Sequence, residues 1–288
     1  QMARLTRTQI EQYQCDGYTV LEKALNDSAV AALRSRVEAI AAGDLPFPTE
    51  CIEFDPGAPQ ERHIDNLRKI NNPARHDPFF MDHATRTNLL DAAEALLGPD
   101  LVYHYSKINM KPAGVGSAVE WHQDLSYYPL SNRGSVSILF YLDDATVENG
   151  CLQVIPRRHR DELLSHSTDG FFQGRVTEAV DESLAVPVPG NAGSVIFMHA
   201  MTPHASIANT STSPRRTLIL SYRRADAFPI YAGEMTHKTE VHARLVRGQF
   251  PQEARFEDRS FPIPLYKDAI VSLYDLQERS RKGEIKEQ

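Results

Sequence analysis

The chain has 288 residues, 41% hydrophobic and 24% charged, the composition of a soluble globular protein with a core to bury. Its 31 Lys and Arg against 38 Asp and Glu give a net charge of -7 with no basic block, which excludes a sequence-independent nucleic-acid binder. No apolar run reaches the roughly 18 residues of a membrane span, and the first residues lack the apolar core of a signal peptide, so a cytoplasmic protein without membrane partners is expected.

Thr8-Gln9-Ile10-Glu11 has the form of a capping box and opens a short helix that Gly17 ends. Tyr18 to Leu21 is β-branched and aromatic and predicts a strand. Asn26, Asp27 and Ser28 are good N-caps; Val30, Leu33, Val37 and Ile40 recur at helical spacing, and Gly43 closes this second helix. Residues 44–83 carry six prolines and no sustained period, which predicts an irregular lid or binding loop. Asn88 to Leu97 supplies a third helix before Gly98.

From Leu101 the pattern changes to short β-branched or aromatic runs separated by Gly, Pro, Asn and Asp. These are Val102–Met110, Val136–Leu142, Cys151–Ile155, Leu184–Val188, Ser194–Met198 and Thr217–Tyr222. Helices followed by many short strands predict a mainly β fold with flanking helices, a jelly roll or related barrel. No linker divides the chain, so one domain over 1–288 is expected: a helical part over 1–100, a core over about 101–225 and an extension over 226–288. A helix over Asp268–Lys282 is expected to end it. Cys15, Cys51 and Cys151 show no CxxC spacing and read as buried small hydrophobes.

The chemistry concentrates in Trp121-His122-Gln123-Asp124. On extended chain His122 and Asp124 leave on the same face, so an imidazole and a carboxylate can aim at one point. A second histidine would complete the two-His-one-carboxylate triad that holds non-haem Fe(II) with three positions open. Two candidates compete for that place, His199 at the end of a strand and His204 after a Pro-containing turn. Eleven residues beyond His204 lies Arg215, whose planar fork suits bidentate recognition of a carboxylate inside a barrel. Arg216 faces the other way and reads as solvated or ion-paired, Trp121 as a core aromatic, and Asn149-Gly150 as a turn between strands.

With these motifs, the segment Glu148-Asn149-Gly150-Cys151-Leu152-Gln153-Val154-Ile155-Pro156 followed by His159, and His204-Ala205-Ser206 with Arg215 beyond, the chain resembles the phytanoyl-CoA dioxygenase-like family of Fe(II)- and 2-oxoglutarate-dependent oxygenases from about Leu5 to Tyr222. The resemblance implies a double-stranded β-helix with His122, Asp124 and His204 on iron, and Arg215 and Ser206 on the distal carboxylate of 2-oxoglutarate. It further implies Asn109 facing that co-substrate and Lys107 facing the substrate, which makes His199 a core or supporting histidine. Fe(II), 2-oxoglutarate and O2 are then the expected cofactors, and hydroxylation of an unactivated C–H of a small or medium metabolite the expected reaction.

Tyr105, Leu125, Tyr127, Tyr128, Thr217 and Ile219 join Lys107 as expected substrate contacts. Thr217, Ile219 and Ser221 make a mixed wall that suits a small anionic or zwitterionic molecule better than a long acyl chain. Periodicity leaves open whether Tyr103 and Tyr105 or His104 looks inward. The alternatives are an oxygenase of the same family acting on a terpenoid or other natural product, and a non-oxygenase, cupin-like metal-binding protein. A monomer or homodimer is expected.

Overall fold

The protein is described here from a computed structural model, in which residues 2–230, 240–267 and 272–286 are described. The first helix, α1 (Arg7–Asp16), has its cap two residues earlier than its sequence signature suggests. Thr6 is the N-cap and makes the capping box with Gln9, because Gln9 can reach back to the Thr6 backbone N–H. Gly17 ends the helix in the left-handed conformation and passes the chain into β1 (Tyr18–Leu21).

Helix α2 (Asp27–Ala42) is capped by Asn26, whose side chain accepts from the Ala29 N–H at 2.9 Å. It buries Val30, Leu33, Val37 and Ile40 on one stripe, each side chain contributing about 1.5–3 kcal/mol through lost contact with water.

Residues 44–83 are more ordered than their prolines suggest. They form β2 (Ile52–Phe54), β3 (Leu67–Asn71), α3 (Pro73–His76) and α4 (Pro78–Ala84). Pro73 and Pro78 stand in the first turns of α3 and α4, where a missing N–H costs nothing, so the prolines punctuate the structure instead of preventing it. Helix α5 (Thr87–Leu97) completes the helical layer.

The β part contains β4 (Leu101–Lys111), β5 (Val119–His122), β6 (Ser135–Tyr141), β7 (Leu152–Val154), β8 (Ser167–Thr168), β9 (Phe171–Phe172), β10 (Val186–Val188), β11 (Val195–His199), β12 (His204–Ser206), β13 (Arg215–Arg224) and β14 (Arg244–Arg247). The last described helix is α6 (Leu273–Arg281); Asp268 and Ile270, which its expected span included, lie outside the described residues. A large antiparallel sheet runs β1-β11-β6-β13-β4-β3-β2, with β14 also on β4. A smaller sheet runs β10-β7-β12-β5, and β8 pairs with β9 alone. This is the mainly β, jelly-roll architecture that the strand pattern predicts.

The large sheet is covered on both faces, which explains why β6 is buried at every position. On one face Val136, Ile138, Phe140, Leu218 and Leu220 pack with the helices. On the other, Leu139, Tyr141, Ile196, Met198 and Ile219 meet Leu152, Val154 and Val188 of the small sheet. The functional residues lie between the sheets, on this second face.

Three residues depart from expectation. Trp121 is only half-buried, on the outer strand of the small sheet. Cys15 is exposed and Cys51 half-buried, so Cys151 alone is a buried small hydrophobe.

Candidate active site

Strands β5 and β12 pair with His204 opposite His122, which brings two imidazoles from distant parts of the chain to a ring separation of 4.1 Å. Strand β5 ends at His122, Gln123 remains extended, and Asp124 opens a tight turn over Asp124–Ser126. Gln123 fixes that turn from inside the protein, donating to the Met201 carbonyl at 2.7 Å and accepting from the Leu164 N–H at 2.9 Å. As a result Asp124 Oδ1 lies 3.6 Å from His122 Nε2 and 3.5 Å from His204 Nε2.

The tautomers follow from the backbone. His122 Nδ1 lies 2.8 Å from the Glu120 carbonyl and His204 Nδ1 lies 3.0 Å from the Thr202 carbonyl. A carbonyl only accepts, so both Nδ1 atoms donate and both Nε2 lone pairs point to the shared centre. Ser137 Oγ donates to Asp124 Oδ2 at 2.8 Å, leaving Oδ1 for the same centre. Burial, with His122 beside it, pulls the His204 pKa down to about 3, so it is neutral near pH 7. Burial opposes the Asp124 anion, but the two imidazoles and Lys107 outweigh it and hold this carboxyl well below its usual range. The three donors, two nitrogens and one oxygen, all lie within 4.8 Å of one another and carry the protonation states a divalent metal requires.

His199 has a different fate because the chain changes sheets after it. It ends β11 in the large sheet, accepts from the Met201 N–H at 3.0 Å and packs beside Tyr13 and His159. Burial, with His159 and the nearby arginines, lowers its pKa to about 3. His199 thus has the supporting place expected of it.

From the triad a narrow inner chamber of about 50 Å³ leads to Arg215, lined also by Asn109, Ser206, Thr217 and Ile219. Arg215 is 6% exposed. It donates to Thr217 Oγ1 at 2.9 Å and to the Gly150 carbonyl at 2.5 Å, but its buried Nε–H has no partner among the described residues. Gly150 is required here, since it has φ +82° and a Cβ would meet the Ile207 carbonyl at 2.4 Å. A buried guanidinium that lines a cavity and keeps a free donor fits a carboxylate ligand. Arg216 is the ion-paired neighbour expected of it, held by Asp143 at 2.7 Å and 2.8 Å and by Glu38 at 2.7 Å.

An outer chamber of about 230 Å³ opens on the other side of the triad, lined by His104, Tyr105, Lys107, Tyr127, Tyr128 and Arg223 among others. Tyr127 donates to the Gly174 carbonyl and stands edge-on to His122 at 5.5 Å. Tyr105 donates to Asn71 Oδ1 at 2.9 Å. Leu125 does not line this chamber. Its N–H donates to the Ala200 carbonyl, and its side chain is fully buried with Leu130, Met201 and Ala227.

The choice between Tyr105 and His104 is resolved by a β-bulge. Ser221 pairs with Tyr105 and Tyr222 with Tyr103, so His104 is the extra residue and both His104 and Tyr105 face the chamber. Tyr103 packs into the helical core with Tyr222.

Four residues of the site escape sequence reading. Lys69 comes from β3, hidden among the prolines, and lines both chambers. Ser137 had a legible signal, a polar residue in step with Leu139 and Tyr141 within an apolar strand. Leu273 and Tyr274 of α6 line the inner chamber, and of residues 44–83, where a lid or binding loop was expected, Lys69 lines it.

Residues 13–217 match the family described as Phytanoyl-CoA dioxygenase (PhyH). The chain is 29% identical over 275 residues to a protein of Stutzerimonas stutzeri named a probable alpha-ketoglutarate-dependent hypophosphite dioxygenase, covering 91% of this chain and 94% of that one. It is 31% identical over 225 residues to a methylphosphonate hydroxylase of Gimesia maris, covering 76% and 80%. Among solved structures it is similar to EctD from S. alaskensis with 2-oxoglutarate and 5-hydroxyectoine, at TM-score 0.64 and 26% identity over 77% of each chain.

Proposed function

Because the chain belongs to the phytanoyl-CoA dioxygenase family and is a 2-oxoglutarate-dependent dioxygenase, we propose that it hydroxylates an unactivated C–H bond of a small anionic or zwitterionic metabolite. The cofactors are Fe(II), 2-oxoglutarate and O2. The observation that carries this reading is a His/Asp/His donor set where two chambers share His122 and Asp124, with a buried, incompletely satisfied Arg215 lining the inner one. A hydrolytic zinc site needs the first feature but has no use for the second.

In this reading His122, Asp124 and His204 hold the metal, and Arg215 with Ser206 and Asn109 takes the distal end of 2-oxoglutarate. Bound together they supply the oxidant: 2-oxoglutarate and O2 give succinate and CO2, one oxygen atom entering succinate and the other the substrate C–H to form an alcohol. The remaining work belongs to the side chains. Ser137 keeps Asp124 oriented and anionic, and because Asp124 fills the third protein position, none is left for a halide. Tyr127, Tyr128 and Tyr105 wall the outer chamber, and Tyr266 with Leu273 covers it, which excludes water from the reacting centre. Leu273 and Tyr274 of α6 also line the inner chamber.

Size argues for a small substrate. About 230 Å³ lies below the range of pockets for drug-sized ligands, which favours a small metabolite over a coenzyme A thioester or a large terpenoid. The two relatives are named for hypophosphite and methylphosphonate, which agrees with a small charged substrate. The test is a screen of small anions and zwitterions for 2-oxoglutarate-dependent succinate release, with 18O2 as oxidant. One labelled oxygen in an alcohol product is the expected result; substrate-coupled succinate without oxygen incorporation would replace hydroxylation by desaturation or ring chemistry.

A further inference from the structure

We propose that Lys69 and Lys107 form a two-ammonium cradle for a tetrahedral phosphorus oxyanion, so that the substrate is a short phosphonate and not a carboxylate of the same length. This rests on the oxygenase reading and names the substrate class within it.

The cradle follows from strand register. Lys69 pairs with Asn109 and Asn71 with Lys107, which makes Lys69 and Lys107 diagonal neighbours on one face of the sheet, about 7–8 Å apart at Cα. Both line the outer and the inner chamber, beside His122 and Asp124. Lys69 is 7% exposed, yet its carboxylate neighbour Glu53 stands 4.0 Å away and already accepts from Asn71 Nδ2 at 2.7 Å. Tyr105 holds Asn71 in that role. The Lys107 ammonium has no hydrogen bond or ion pair among the described residues, though its backbone pairs within the sheet.

The other cation of the outer chamber is neutralised, since Arg223 makes a two-pronged pair with Glu240 at 2.6 Å and 2.7 Å. Of the two ammonium groups, Lys69 thus has one distant, engaged carboxylate, and Lys107 has none at ion-pair distance among the described residues. Asp124 lies near, but its charge is committed to the metal. Buried ammonium without full compensation is costly, and an anion in the chamber removes that cost.

The class of anion follows from a contrast within the cavity. Its inner end meets a planar carboxylate with the planar fork of Arg215. Its outer end offers two point charges with rotatable, non-coplanar donors, which match three oxygens around a tetrahedral centre and a charge larger than that of one carboxylate. Because the lysines line the same walls as His122 and Asp124, a carbon attached directly to phosphorus lies next to the reacting centre.

The test is calorimetric binding, without O2, to protein loaded with Fe(II) and 2-oxoglutarate, using methylphosphonate and ethylphosphonate against acetate and propionate. The expected result is phosphonate binding tighter than carboxylate by on the order of tenfold or more, and a loss of roughly thirtyfold or more in each of Lys69→Gln and Lys107→Gln. In both variants 2-oxoglutarate affinity should fall by less than phosphonate affinity, since its distal carboxylate is held at the Arg215 end. Where Lys69→Gln fails to fold, Lys107→Gln at its half-buried position and the comparison of ligands on the parent protein decide the question. Equal binding of phosphonate and carboxylate, or phosphonate affinity indifferent to both substitutions, overturns the cradle. Succinate release driven by an amino acid, with no phosphonate binding, overturns it too and leaves the oxygenase reading standing. Failure to bind 2-oxoglutarate counts against the oxygenase reading, and phosphonate binding measured without it still decides the cradle.

Discussion

Ser137 and Asp124 divide the two oxygens of one carboxylate: Oδ2 accepts the serine hydroxyl at 2.8 Å, and Oδ1 faces both histidines. Ser137 sits on β6 of the large sheet while the donors come from β5, the turn after it and β12 of the small one, so this bond ties the donor set across the sandwich. Ser137→Ala should weaken metal binding by about 10–100-fold while leaving the fold intact. Competition with a chelator of known affinity measures this, and an unchanged affinity would show that packing alone orients Asp124.

His204→Ala and His199→Ala should separate cleanly. The first removes one of three donors and should lower metal affinity by more than the roughly hundredfold that loss of a supporting contact causes. The second should retain stoichiometric metal, because the His199 ring faces Tyr13 and His159. Metal content after gel filtration decides; loss from the His199 variant would reverse the assignment.

Adjacent arginines should fail in different ways. Arg215→Gln should weaken 2-oxoglutarate binding by about 2–5 kcal/mol with little change in thermal stability, since its missing partner is the ligand. Arg216→Gln leaves Asp143 buried and uncompensated, and should cost about 3–5 kcal/mol of stability with cofactor affinity nearly unchanged. Thermal denaturation and cofactor titration on both proteins give the comparison, and swapped phenotypes would mean that the opposite face of β13 meets the cavity.

Stability should fall as pH drops from about 6.5 to about 4. Burial, with Arg86 nearby, pulls His83 down to about 4, while the unfolded chain titrates near 6.5. Above 6.5 both states are neutral. Between the two values the unfolded state takes up a proton that the native state refuses, so each such histidine costs up to about 1.4 kcal/mol per pH unit. His166, lowered to about 4 chiefly by burial, acts with the same sign. His83→Met should make the slope of unfolding free energy against pH shallower over this window; an unchanged slope would show that His83 protonates in the native state at little cost.

Much of the site was legible because its residues occur in short, chemically distinctive runs. His122 and Asp124 lie two apart on extended chain, and the large-sheet face of Arg215, Thr217, Ile219 and Ser221 follows from strict alternation along β13. Alternation failed on β4, where one extra residue at His104 turns it and Tyr105 to the same side. A bulge depends on what the neighbouring strand offers, and no local pattern in Tyr103-His104-Tyr105 announces it.

By itself the sequence determined the fold class, the donor types and the order in which they arrive, because those rest on local periodicity and on the chemistry of single side chains. Only the tertiary structure decided between His199 and His204, by ending one sheet at the first and starting the other at the second. It also brought Lys69 beside Lys107, through the pairing of β3 with β4. It put Leu273 and Tyr274 of α6 on the wall of the inner chamber. Each of these depends on which strands share backbone hydrogen bonds, a long-range choice set by the burial of both faces of the large sheet.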